Sequence, residues 1–207
     1  MRQKNNKKTF TRREFIKGIG GGALGAAVVP RLLPQEAAAL KTNEGNIPVY
    51  DKKLIKLTVN GNKYSLLVEP RETLLYVLRE KLNLAGAKKV CDRGECGGCT
   101  VLLDTEPVYA CMYLAVRAGG KSITTVEGLA QEGQLHPVQE AFIAEDAYQC
   151  GFCTPGFIMS SVALLNRSGN PGLEDIKKGL SGNLCRCGNY FKIYDAVATA
   201  AKGLRRS

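Results

Sequence analysis

The chain carries eight cysteines in two separate sets of four. Cys91, Cys96, Cys99 and Cys111 are separated by 4, 2 and 11 residues, and Cys150, Cys153, Cys185 and Cys187 by 2, 31 and 1. Each set commits four thiols of one stretch to a small common volume, and that condition narrows the possible folds more than any other. Three chemistries use such sets: disulfides, four-cysteine zinc sites and iron–sulfur clusters. Disulfide frameworks staple loop-rich chains with small cores, whereas 44% of these residues are hydrophobic. Cys185 and Cys187, one residue apart, would also need separate partners. Structural zinc sites usually pair two CxxC knuckles, which Cx4CxxC and CxC fit poorly.

The interval C-x4-C-x2-C followed by a distant cysteine is the plant-type ferredoxin arrangement for a 2Fe–2S cluster. Gly94, Gly97 and Gly98 lie among these cysteines. Backbone that wraps a small inorganic core and points N–H groups at sulfur needs such residues. A bulky side chain at Gly97 or Gly98 is expected to block that approach. Donated N–H bonds stabilise the negative thiolates and tune the reduction potential.

The sequence from residue 53 divides into two pieces. Ile55, Leu57 and Val59 alternate with Leu54, Lys56 and Thr58, a strand period. Asn60-Gly61 predicts a two-residue hairpin turn, with Tyr64 to Val68 pairing back. Leu74, Leu75, Leu78 and Leu82 predict one face of a helix. Thr100 to Leu103 and Glu106 to Tyr109 predict a second pair of strands. Beyond His136 the pattern becomes helical, over 138–144, 155–166, 173–180 and 190–201, with Thr154 as the expected cap of the second helix and Pro155 at its first position. The expected fold class is α+β: a 2Fe–2S domain over 53–127, then an all-α domain over 134–203. His136, the only histidine, is expected to cap or pack, because a Rieske-type site would need two. Tyr148 and Phe152 are expected to keep water off the second set, and Lys88-Lys89 and Lys177-Lys178 to be solvated.

The charge balance is uneven. Lysine and arginine total 29 against 19 acidic residues, but residues 1–39 hold eight of the bases and only Glu14 and Glu36 as acids. The rest of the chain is near balance, which excludes a nucleic-acid-binding surface. The first 39 residues have the three parts of a secretory signal: a basic segment, an apolar Gly-rich stretch from Gly18 to Val29, and Ala37-Ala38-Ala39. The stretch is too short to span lipid, which takes roughly 20 apolar residues. Arg12-Arg13, with Phe15 and Lys17 beyond, resembles a twin-arginine export signal. It implies passage of a folded chain through the twin-arginine machinery to the periplasm, cleavage after Ala39, and a linker over 40–52.

Three stretches carry a resemblance to a known family. They are Cys91-Asp92-Arg93-Gly94-Glu95-Cys96-Gly97-Gly98-Cys99-Thr100, Gln149-Cys150-Gly151-Phe152-Cys153-Thr154-Pro155-Gly156, and Leu180-Ser181-Gly182-Asn183-Leu184-Cys185-Arg186-Cys187-Gly188. In this order they resemble the iron–sulfur subunit of the molybdenum hydroxylases, the xanthine dehydrogenase and aldehyde oxidoreductase family, over about residues 53–201. The resemblance implies a ferredoxin-like (β-grasp) domain and a four-helix domain with one 2Fe–2S cluster each. It implies that Cys150, Cys153, Cys185 and Cys187 hold the cluster nearest a molybdopterin in a separate large subunit, with Gln149 and Cys187 touching the pterin. Cys91, Cys96, Cys99 and Cys111 would hold the outer cluster, facing an FAD-binding medium subunit. No catalytic residue is implied on this chain. The implied function is electron transfer within an exported molybdenum hydroxylase, with aldehyde as the expected substrate. The alternative is a free-standing two-cluster electron carrier.

Overall fold

The structure is a computed structural model that describes Thr11, Arg13, Glu14 and residues 51–204. The expected signal segment and its cleavage point therefore lie outside the described residues, apart from those three positions. Thr11, Arg13 and Glu14 belong to a separate N-terminal unit. There Thr11 and Glu14 cap one another: the Thr11 N–H donates to Glu14 Oε2 (2.9 Å) and the Glu14 N–H to the Thr11 carbonyl (3.0 Å).

In the main unit β1 (Lys53–Val59) and β2 (Asn62–Val68) form an antiparallel hairpin. Asn60 and Gly61 both take positive φ (50° and 81°), as a primed two-residue turn requires. The Asn60 side chain also works at long range. Its Nδ2 donates to Thr125 Oγ1 and its Oδ1 accepts from the Thr125 N–H, both at 2.9 Å. Helix α1 (Leu74–Tyr76) runs directly into a π-helical turn, Val77–Lys81. That wider turn buries Val77 along with Leu74, Leu75 and Leu78, while Leu82, expected on the same face, stays half-buried. Strands β3 (Thr100–Leu103) and β4 (Glu106–Tyr109) pair antiparallel, and β5 (Ser122–Thr124) completes the sheet. The order is β2-β1-β5-β3-β4, with β5 parallel to β1 and antiparallel to β3.

Four further helices follow: α2 (Pro137–Ala144), α3 (Thr154–Arg167), α4 (Leu173–Gly179) and α5 (Tyr190–Leu204). His136 caps α2 as anticipated. Its Nδ1 accepts from the Val138 N–H (3.2 Å), and Gln139 Oε1 accepts from the His136 N–H (3.0 Å). Thr154 is not the cap of α3: it is the first helical residue, and Cys153 occupies the cap position without a side-chain bond. Among the described residues no helix is long and apolar enough to cross a membrane.

Two cores fill the main unit. One lies under the sheet and α1 and contains Leu57, Val59, Leu74, Leu78, Val101 and Ile123. The other joins the last four helices around Phe142, Phe157, Met159, Ile176, Ile193 and Val197, and it includes Leu102 of β3. Successive side chains of a strand point to opposite faces. Val101 and Leu103 thus enter the first core and Leu102 the second, so all four β3 residues are buried. The helices use the back of β3 as part of their own wall.

Candidate metal centres

The first four cysteines converge because three local structures deliver them. The loop before β3 turns tightly, with Asp92 at φ 54°, Gly94 at φ 80° and Gly97 at φ 67°. The β3–β4 hairpin then returns the chain beside it. The first amides of α1 grip the returning segment, Leu75 N–H donating to the Ala110 carbonyl (3.0 Å) and Leu74 N–H to that of Tyr113 (2.6 Å). Cys111 lies between those two acceptors. Cys96, Cys99 and Cys111 are buried and Cys91 is half-buried.

The second set gathers where α3 and α5 begin. Cys150 and Cys153 lie on the turn leading into α3, and Cys185 and Cys187 on the loop between α4 and α5. Tyr190 holds the latter loop: its hydroxyl accepts from the Cys185 N–H (2.9 Å), and its ring meets Phe157 edge-on at 6.0 Å. Cys185 is buried and Cys153 half-buried, whereas Cys150 and Cys187 are exposed. Gln149 is exposed beside them. Phe152 and Tyr148 were expected to cover this site, but they are 60% and 46% exposed, and Phe191 nearby is 81% exposed. The described chain leaves this edge open.

The thiols associate two by two: Cys91 with Cys96, Cys99 with Cys111, Cys150 with Cys187, and Cys153 with Cys185. Among the described residues no three His, Cys, Asp or Glu side chains converge closely enough for a single metal ion. Four thiols per site suit a two-iron core, in which each iron takes two thiolates. The electrostatics follow one plan in both sets. The Arg93 N–H holds Cys91 down to about 7, aided by the Cys96 side chain and the Glu95 and Cys96 N–H groups. The Phe152 N–H does the same to Cys150, which is lowered. Burial pushes Cys99 and Cys153 up to about 12. Each site thus has an acidic thiol at its mouth and a deep one that ionises only with a cation to neutralise it. Thr154 Oγ1 is the one buried side-chain polar atom among the described residues that lacks a hydrogen-bond partner. It follows Cys153 directly, so a cluster sulfur is the acceptor its hydroxyl would otherwise want. This donor set fits a 2Fe–2S cluster at each site.

The glycines of the first loop divide the expected duty. A Cβ at Gly98 would lie 3.7 Å from Cys96 Sγ and 3.3 Å from Val90 Cγ2, facing the first cysteine set without a collision. A Cβ at Gly97 would instead strike Asn183 Nδ2 and the Gly182 carbonyl. Gly97 is therefore needed for contact with the other cysteine loop rather than with the cluster.

Comparison with known proteins agrees with this geometry. A family described as "2Fe-2S iron-sulfur cluster binding domain" matches residues 57–120, and one described as "[2Fe-2S] binding domain" matches 125–198. The iron-sulfur-binding subunit of an aldehyde oxidoreductase of Escherichia coli K12 is 41% identical over 93% of this chain and 89% of its own length. The chain belongs to the iron–sulfur small subunits of the molybdenum hydroxylases. The small FeS subunit of nicotinate dehydrogenase from Eubacterium barkeri, another relative of this small subunit, is 43% identical over 73% of this chain and 97% of its own. In the crystal structure of quinoline 2-oxidoreductase from Pseudomonas putida 86, one chain superposes on the small subunit with a TM-score of 0.72. Identity there is 41%, over 76% of this chain and 98% of that one. The small subunit therefore carries two 2Fe–2S domains and serves as the electron-transfer component of an oxidoreductase complex.

Several residues of the sites carry no signal in the cysteine spacing. Tyr109, Thr154, Ser160, Asn183 and Tyr190 all touch or steady a cysteine loop. Thr154 and Asn183 stand inside the family-like stretches, one beside Cys153 and the other two residues before Cys185.

Proposed function

We propose that this chain is the electron-transfer subunit of an exported aldehyde-oxidising molybdenum hydroxylase, standing between a molybdopterin-binding large subunit and an FAD-binding subunit. Cys91, Cys96, Cys99 and Cys111 would hold one cluster in a β-grasp, ferredoxin-like domain over 53–127. Cys150, Cys153, Cys185 and Cys187 would hold the other in a four-helix domain over 134–203. Each cluster, when bound, supplies a one-electron couple. The protein's share is to fix both positions, exclude water and set the potentials. The single observation that carries the reading is the juxtaposition of the two loops: the Leu184 N–H donates to the carbonyl of Cys96 (3.0 Å), one residue before Cys185.

The exposed edge at Cys150 and Cys187 supports assigning this side to the large subunit, with Gln149 and Cys187 against the pterin. Thiolates left in water beside open Phe152 and Phe191 suit a surface that a partner covers. The same exposure argues against a free-standing carrier. The aldehyde assignment rests on the high coverage of the Escherichia coli relative, which aligns over 93% of the chain. Substituting Cys96→Ala in the complex tests the order of the sites. The second cluster should still be reduced by aldehyde, while transfer onward to flavin stops. Failure of aldehyde to reduce the second cluster in the assembled variant would reverse the order. Replacing Arg12 and Arg13 by lysine should strand active complex in the cytoplasm, because the export receptor reads the arginine pair. Undiminished periplasmic activity would refute export by this route.

A further inference from the structure

Asn183 is only 6% exposed, yet both ends of its side-chain amide and its N–H are engaged. Its Nδ2 donates to the Gly97 carbonyl (3.0 Å), its Oδ1 accepts from the Ser160 hydroxyl (2.7 Å), and its N–H donates to the Leu180 carbonyl (3.0 Å). A carbonyl can only accept, so the amide has one orientation: Nδ2 must face Gly97, and Oδ1 is left for Ser160. The next residue, Leu184, donates its N–H to Cys96, and the one after it is Cys185. Three consecutive residues therefore clasp the first loop twice and deliver a thiol to the second site.

The surroundings are shaped for this clasp. The Gly97 carbonyl also accepts from Thr100 Oγ1 (2.6 Å) and from the Thr100 N–H (3.1 Å), which fixes its peptide from the first side. Gly156 and Ser160, one turn apart on α3, present one face. A Cβ at Gly156 would collide with the Gly97 carbonyl, so a glycine there lets the helix come close enough for Ser160 to reach Asn183. The Tyr109 hydroxyl adds a further bond across the same seam, to the Gly182 carbonyl (2.7 Å).

We propose that Asn183 is the positioning residue that holds the two cysteine loops at a fixed separation, and so sets the electronic coupling between the two clusters. The inference rests on the reading that each loop carries a cluster. It differs from that reading in assigning the geometry between the sites to one side chain that ligates neither. Buried hydrogen bonds of this kind specify a unique arrangement, because a partly satisfied network costs more than an apolar one.

The test uses the holo complex, fully reduced, with two readouts: the two paramagnetic cluster signals, and the splitting each imposes on the other. Asn183→Asp keeps the shape but sets a second acceptor against the Gly97 carbonyl. It should retain iron and both signals, lose the splitting, and slow transfer between the clusters. Ser160→Ala removes only the group that orients the amide, so it should move the splitting the same way by less, and it decides the matter if Asn183→Asp does not assemble. Lower unfolding temperatures with signals and splitting unchanged in Ser160→Ala and Asn183→Ala would reduce Asn183 to packing and overturn the proposal. A wild-type complex lacking two cluster signals would instead overturn the two-cluster reading itself, before any variant is made.

Discussion

In the first site Cys96, Cys99 and Cys111 are buried and only Cys91 reaches the rim; in the second, Cys150 and Cys187 stand in solvent while Cys185 is buried. The chain insulates the first site itself, with a glycine loop, a strand hairpin and Met112, whose side chain fills the space beside Gly94. At the second site it builds a floor from α3, α5 and Tyr190 and leaves the top open. Yet both sites share one electrostatic plan, a rim thiol acidified by an N–H group and a deep thiol kept neutral by burial. The contrast teaches that ligand chemistry is set locally, within a few residues of each cysteine. Access is set by what packs over the site, and the described chain leaves the second site open.

The largest expected effect is on metal removal from the isolated small subunit. A chelator should take iron from the open second site first and from the first site last, read as successive loss of two paramagnetic signals. Amide exchange should show the corresponding loops losing protection in the same order, since metal bonds contribute folding energy directly. Loss in the reverse order would break the comparison.

Gly97→Ala sharpens it, because Gly97 serves the seam rather than the cluster. Positive φ and a collision with Asn183 should cost on the order of 1–3 kcal/mol. Denaturant titration of the holo chain measures this. A stability loss without loss of iron is expected, and selective loss of the first cluster would return Gly97 to the cluster side.

Reconstitution from the iron-free chain should accelerate with pH. Cys99 and Cys153, raised to about 12, hold their protons throughout the neutral range and must release them to bind iron. The rate should rise by up to about tenfold per unit between roughly pH 7 and 9 for each such proton. The iron-free fold behaves oppositely. A raised thiol pKa stabilises it below the unfolded value, and that contribution is lost as pH climbs towards 12. Stopped-flow absorbance at graded pH separates the two, and a flat profile would show that the deep thiols do not limit assembly at either site.

The smallest effect falls on Thr154→Val. If its hydroxyl donates to a sulfur of the second cluster, its loss removes about 1 kcal/mol, on the order of 40 mV, and lowers that potential alone. A redox titration in which neither potential moves, together with a stabilised apo chain, would mark the hydroxyl as unsatisfied in both states.

Much of the fold is legible from short-range pattern. The alternation in β1, Asn60-Gly61, the β3–β4 pair and the four later helices report neighbours in sequence, and hairpins and helix faces are formed by such neighbours. The helix at Leu74 was legible in place but not in form, because it passes after Tyr76 into a π-helical turn, and Val77 is buried there with Leu78. Thr154 misled because a threonine before Pro-Gly has the composition of a cap, while the cysteine ahead of it occupies that position.

The sequence by itself determined the two cysteine sets and the kind of centre that their intervals suit, since interval and residue type are local. Only the tertiary structure decided how the sites relate. Gly97 and Asn183 lie 86 residues apart, and Tyr109 and Gly182 lie 73 apart. Leu102 serves the helical core because β3 is buried on both faces. Such contacts depend on surfaces that exist only after both halves have folded. No local period encodes them, because the same carbonyls and amides occur at every residue and only packing selects which of them meet.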